Sequence, residues 1–112
     1  MLKEQYLYNA LITDVYDGDT VTALVDLGFD VQFRCKLRLF GINAPELKGE
    51  TSEKGKEARD KLTELIGGKK VVVETVKDKK EKYGRYLAQI YVNQINVNTW
   101  MVNNGFAKEA FY

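Results

Sequence analysis

Histidine is absent from this chain of 112 residues. Its absence removes imidazole bases, histidine zinc sites and Ser-His or Cys-His nucleophiles at once. Any catalysis must use carboxylates, arginine, lysine and tyrosine, alone or with a hard metal ion. Three stretches carry such groups at suggestive spacing. Asp17-Gly18-Asp19-Thr20 sets two acids about a glycine turn. Arg38-Leu39-Phe40-Gly41-Ile42-Asn43-Ala44-Pro45-Glu46 runs from a cation to an acid eight positions later, 46 − 38 = 8. Lys82-Tyr83-Gly84-Arg85 gathers two cations and an aromatic ring. Pro45, the only proline, biases Ala44 toward extended backbone and forbids a helix there. Glu46 is thereby held on a stiffened corner, where a carboxylate can act as a general base or orient a water.

In order and spacing, these three stretches resemble the motifs of staphylococcal nuclease-like (thermonuclease) domains, over about Tyr8 to the C-terminus. The resemblance implies a five-stranded OB-type barrel with helices. It also implies a calcium-dependent endonuclease that hydrolyses DNA and RNA with little sequence preference. Water attacks phosphorus, the 5′-oxygen leaves, and 3′-phosphate products result. By the same resemblance, Arg38 and Arg85 contact the scissile phosphate and stabilise the pentacovalent transition state and the leaving group, as planar two-pronged guanidinium donors can. Glu46 is the implied general base, and Lys82 and Tyr83 hold a terminal phosphate of a bound nucleotide. Tyr83, Phe111 and Tyr112 can stack on a base, Phe111 standing where the type member has a tyrosine.

The oxygen donors fit the same picture. The Asp19 carboxylate, the Asn43 side-chain oxygen and the Ala44 backbone carbonyl, completed by water, suit calcium better than magnesium. Relatives commonly carry aspartate at the position of Asn43, so this ligand is neutral here and its metal is expected to be weaker. Two other readings belong to different classes. One is an OB-fold module that binds single-stranded nucleic acid without cutting it. The other is a structural or protein-interaction barrel, which would have no use for Arg38, Glu46 and Arg85.

These groups need elements to position them. Tyr8–Tyr16 reads as a first strand, Thr20–Leu27 as a second and Val31–Phe40 as a third, with a hairpin tip at Asp26–Asp30. Phe33, Cys35, Leu37 and Leu39 alternate onto one face, and Arg34, Lys36 and Arg38 onto the other. Cys35 therefore reads as a small buried filler, and Arg34 and Lys36 as solvated charges. Helical spacing of Ala58, Leu62, Leu65 and Ile66 predicts a helix starting between Ser52 and Glu57 and ending at Gly67-Gly68. Lys70–Val76 is a fourth strand, with Val71, Val72 and Val73 suggesting burial from more than one side. Lys77–Lys82, four lysines against two acids, reads as a solvated loop. Tyr86–Val92 is a fifth strand, Ile95–Val97 a short one, and a second helix starts near Asn96 or Asn98 and stops at Gly105. The order β-β-β-α-β-β-α is that of an α+β, five-stranded OB-fold Greek-key barrel, with a helix between strands 3 and 4 and a C-terminal helix.

The length predicts a single domain over residues 1–112. With a net charge of only +1, phosphate affinity must come from local clustering rather than a global basic field. One cysteine excludes an internal disulfide. No apolar run approaches the roughly 18 residues of a membrane span, and the N-terminal residues have no signal-peptide pattern. The further C-terminal helix of full-length relatives is missing from the sequence. A monomer is expected, with self-association as the alternative if that helix leaves apolar surface uncovered.

Overall fold

The computed structural model describes residues 6–80 and 82–110, without the side chains of residues 51 and 77–79. Three long strands come first: β1 (Leu7–Asp17), β2 (Thr20–Gly28) and β3 (Val31–Leu39). A two-residue strand β4 (Ile42–Asn43), a single 3-10 turn (Gly49–Thr51) and helix α1 (Ser52–Ile66) follow. Strands β5 (Lys70–Lys80), β6 (Tyr86–Val92) and β7 (Ile95–Asn96), helix α2 (Val97–Asn103) and strand β8 (Lys108–Glu109) complete the chain.

The main sheet runs β3-β2-β1-β5-β6-β7, and β3 also pairs with β6. That last pairing is parallel, with Leu37, Arg38 and Leu39 opposite Tyr86, Leu87 and Ala88. It closes β1, β2, β3, β5 and β6 into a five-stranded barrel of the expected OB type, mainly β with two helices. Alternation fills it: Ile12, Val21, Ala23, Leu37, Leu39, Val73, Ala88 and Ile90 all point inward and are buried. From α1, Ala58, Leu62 and Ile66 are fully buried at helical spacing and join the same core. Each such leucine or isoleucine contributes about 2 kcal/mol relative to exposure.

Three details depart from the sequence reading, and a fourth decides between two caps it offered. Val72 is 38% exposed, so β5 buries one face only. The expected loop at Lys77–Lys82 is strand as far as Lys80, which pairs with Tyr86 across a register shift after Thr75. Ladder hydrogen bonds belong to the backbone, so a run of charged residue types does not by itself end a strand. Phe33, read on the apolar face of the third strand, is 42% exposed, and Leu27 on β2 is 45% exposed, because the β2–β3 hairpin overhangs the barrel. Its tip is a two-residue turn in which Phe29 and Asp30 both adopt positive φ, the twist that suits a hairpin. Finally, Asn96 caps α2 by accepting from the Thr99 N–H, whereas Asn98 is buried inside the molecule. The Asn98 amide donates to the carbonyls of Phe40 and Ala88 and accepts from the Ile90 N–H. It thus ties α2 to the residue just beyond β3.

Cys35 is half-buried, and burial raises its thiol pKa, in keeping with a filler rather than a nucleophile. Among the described residues, no helix is long and apolar enough to cross a membrane.

Candidate functional site

The acidic turn is built by close packing. Strand β1 shifts register twice against β2, between Ile12 and Asp14 and between Val15 and Asp17. Such bulges bend a strand and re-aim its end. Gly18 then passes so near its neighbours that an added Cβ would lie 2.6 Å from the Ala44 Cβ and 2.8 Å from the Ala58 Cβ. Only a missing side chain lets β1, the corner after β4 and α1 meet here. Asp19 is buried, and its carboxylate is well supplied with donors. Oδ2 accepts from the Ala44 N–H at 2.8 Å, and Oδ1 from the Thr20 hydroxyl at 3.2 Å. The Asp17 carboxylate lies beside it and accepts from the Asp19 N–H. Burial first, and then the neighbouring Asp19, push the Asp17 pKa up from 3.8 to about 6.

Arg38 meets this turn across the β2–β3 ladder, where it stands opposite Thr20. Its Nη2 lies 3.3 Å from Asp19 Oδ2 and donates to Asn43 Oδ1, while Nη1 donates to the Leu39 carbonyl at 2.8 Å. Asn43 is positioned by pairing with Lys108 in the β4–β8 ladder. Arg85 approaches from the start of β6 and donates from Nη1 to the Thr20 hydroxyl at 3.0 Å. Thr20 is therefore the link between the acidic turn and Arg85. Sequence reasoning assigned it no role; the signal was its place beside Asp19 at a strand start.

A groove of about 490 Å³ opens alongside, lined among others by Arg38, Lys82, Tyr83, Arg85 and Leu87. Tyr83 is exposed, with Lys82 Nζ 5.0 Å and Arg85 Cζ 5.4 Å from its ring centre, distances at which cations and an aromatic face attract. Glu46 is exposed beyond the proline and does not line this groove. Its backbone is clamped by α1: a Cβ on Gly55 would lie 2.3 Å from the Glu46 carbonyl oxygen. That clamp, made by a glycine inside α1, is a second feature unseen in the sequence. Phe111 and Tyr112 lie outside the described residues. The structure thus brings Asp19, Arg38, Asn43, Ala44 and Arg85 together, sets Lys82 and Tyr83 beside Arg85, and places Glu46 on a braced corner at the edge.

The sequence pattern of the family described as Staphylococcal nuclease homologue matches residues 36–112. The chain belongs to that family. Among known staphylococcal nuclease relatives, it is 35% identical over 101 residues to the thermonuclease of Staphylococcus hyicus, covering 88% of this chain and 57% of that protein. It is 34% identical over 114 residues to Endonuclease YhcR of Bacillus subtilis (strain 168), covering 93% of this chain and 9% of that protein. It is 43% identical over 72 residues to the "Probable staphylococcal-like nuclease CAN2" of Oryza sativa subsp. japonica, covering 64% and 18% respectively. The chain therefore spans less than two-thirds of each of these relatives.

A staphylococcal nuclease fold implies a metal ion, and the donor chemistry here can be tested against one. Asp17 and Asp19 place two carboxylates side by side, the Asp17 pKa being raised first by burial and then by Asp19, and a cation would offset both effects. The nearby groups are hard oxygens: carboxylate, the Thr20 hydroxyl and the Asn43 amide oxygen. Among the described residues there is no cluster of three or more acids, histidines or cysteines. These are oxygen donors of the kind a hard divalent ion takes, with water completing its shell.

Proposed function

We propose that this chain is a metal-dependent phosphodiesterase that hydrolyses nucleic acid internally. The observation that carries the reading is the convergence of Arg38 and Arg85 on the Asp19–Thr20 turn, beside a groove edged by Lys82 and Tyr83. Two guanidinium groups on one side of a groove can grip a phosphodiester and oppose the charge that builds on its oxygens. Glu46 takes a proton from water as the water oxygen attacks phosphorus, and the 5′-oxygen departs to leave a 3′-phosphate. Lys82 and Tyr83 hold the adjoining nucleotide. Phe111 and Tyr112 are proposed to add base contacts.

Calcium is the proposed ion, held by Asp19, the Asn43 side-chain oxygen, the Ala44 carbonyl and water, with Asp17 nearby. When bound, it supplies positive charge beside the phosphate. The Ala44 N–H serves this arrangement differently, by orienting Asp19 Oδ2. One observation favours the reading of a binding module instead: Arg38 already engages the neutral Asn43 oxygen. Both readings make DNA and RNA the partners, with the chain acting as one domain.

Incubation with denatured DNA decides between them. Degradation with calcium and none with chelator is the expected result. Binding without degradation under both conditions overturns the enzyme in favour of the binding module. In the enzyme, Glu46→Gln lowers kcat by about 10² or more and leaves mononucleotide affinity nearly intact.

A further inference from the structure

The site opens on two concavities, and the second has no part in the reading above. It is a groove of about 420 Å³ on the outer face of the barrel, lined by Tyr16, Asp14 and Thr22 on one side and by Lys36, Tyr83 and Arg85 on the other. Tyr83 and Arg85 border both grooves, so the arginine stands at their junction. The strand register explains the arrangement. Leu37 pairs with Tyr86 and Arg38 with Leu87 across the parallel β3–β6 seam. One step back along both strands sets Lys36 level with Arg85. Leu37 and Leu39 point inward, so Lys36 and Arg38 both point out, about 7 Å apart at two strand residues. That spacing is comparable with the distance between successive phosphates in an extended single strand.

We propose that this outer groove binds the nucleotide on the far side of the reacting phosphodiester from Lys82, with Lys36 pairing its next phosphate and Tyr16 stacking on its base. The inference rests on the nuclease reading for the position of the reacting bond. Tyr16 is 62% exposed at the groove wall, and a large exposed aromatic beside a cation is the combination that holds single strands without reading sequence. Among the described residues, Asp14 is the one acid lining the groove, against Lys36 and Arg85, so that lining keeps a net positive charge. Arg34 shares a face with Lys36 but does not line the groove. The two grooves together let a strand pass across the site rather than end in it, which is what internal cleavage requires.

The test uses decathymidylate and thymidine 5′-phosphate as probes, titrated by fluorescence anisotropy and calorimetry in chelator, so that binding is read whether or not the chain cuts. Tyr16→Ala and Lys36→Ala each weaken the decamer about tenfold, Lys36→Ala also lowers its salt slope by about one, and the mononucleotide is bound as by the parent. Tyr16→Phe and Arg34→Ala keep parental affinity for the decamer. Parental affinity in both alanine variants overturns the proposal, as does an equal loss in Tyr16→Phe and Tyr16→Ala. A parent that binds the decamer with this pattern yet cuts nothing supports the groove while refuting the nuclease. Both variants change exposed side chains, and retained mononucleotide affinity shows that they are folded.

Discussion

Arg38 reaches in several directions at the site. Its Nη2 meets Asp19 and Asn43 and its Nη1 the Leu39 carbonyl, an arrangement that needs a planar fork. Lysine at this position offers one point charge and cannot serve all three directions. Arg38→Lys and Arg85→Lys are therefore each expected to lower kcat/KM by at least about 10², roughly the worth of one transition-state donor. Arg34→Ala should leave it within about twofold, as a surface change remote from the site. Steady-state cleavage of a labelled oligonucleotide measures all three, and equal losses would replace the arginine pair by a diffuse basic face. Asp17 allows a prediction in pH. Its folded pKa, about 6, lies above its ordinary 3.8, so between these values the folded chain keeps a proton that the unfolded chain has lost. Stability from this group is therefore present at low pH and is lost as pH rises through that window. Solvent screening of a half-exposed group makes the effect smaller than the shift alone suggests. Thermal melts in chelator should show Asp17→Asn gaining on the parent as pH rises from about 4 to about 7. An unchanged difference across that range would mean that burial and Asp19 do not raise the Asp17 pKa.

The elements around the site are held by glycines used for closeness rather than for turns. Gly18 admits Ala44 and Ala58, and Gly55 admits the backbone of Glu46. Both sit where helix α1 touches a segment that carries Asp19 or Glu46, so the helix serves as a buttress. Alanine at Gly55 would gain about 1 kcal/mol of helix propensity, but its methyl group would press on a backbone carbonyl that cannot rotate away. The clash wins. Gly55→Ala should lose about 1–3 kcal/mol in urea unfolding, whereas exposed Lys54→Ala stays within about 0.5 kcal/mol. Activity of Gly55→Ala should fall further than its stability predicts, because the displaced segment carries Glu46. Full activity at reduced stability would detach Glu46 from the chemistry.

For the whole molecule, the net charge of +1 conceals a local asymmetry. Lys36, Arg38 and Arg85 line up along the outer β3–β6 seam, Lys82 stands by Tyr83, and the facing acids are drawn into the Asp17–Asp19 turn. Oligonucleotide affinity should accordingly be modest and salt-dependent. About four phosphate contacts on a single strand give a slope of log K against log salt near −3. Anisotropy titrations of decathymidylate at several salt concentrations measure it. A slope near zero would mean that stacking, not phosphate contact, holds the strand. The overhanging hairpin contributes little to the fold, since Phe29 at its tip is fully exposed.

Alternation in β1–β3, the glycine at each helix end and the helical spacing of Ala58, Leu62 and Ile66 made the barrel and its two helices legible from sequence alone, because these are local signals with a fixed period. The proline-stiffened corner was legible because its stiffness is contained in residue types and order, whereas Arg38 and Arg85 were singled out by their motifs' resemblance to a family. Register and closure were not legible. Thr20 as the link to Arg85, Lys36 level with Arg85 and Asn98 beneath Phe40 all depend on which strands pair and where. Those pairings join residues up to 65 positions apart, and no local pattern reports them. The exposure of Val72, Leu27 and Phe33 has the same origin, because a strand's pattern says which residues are apolar but not whether another layer covers them. Closure of β3 on β6 decided which apolar residues became core and which cations met at one seam.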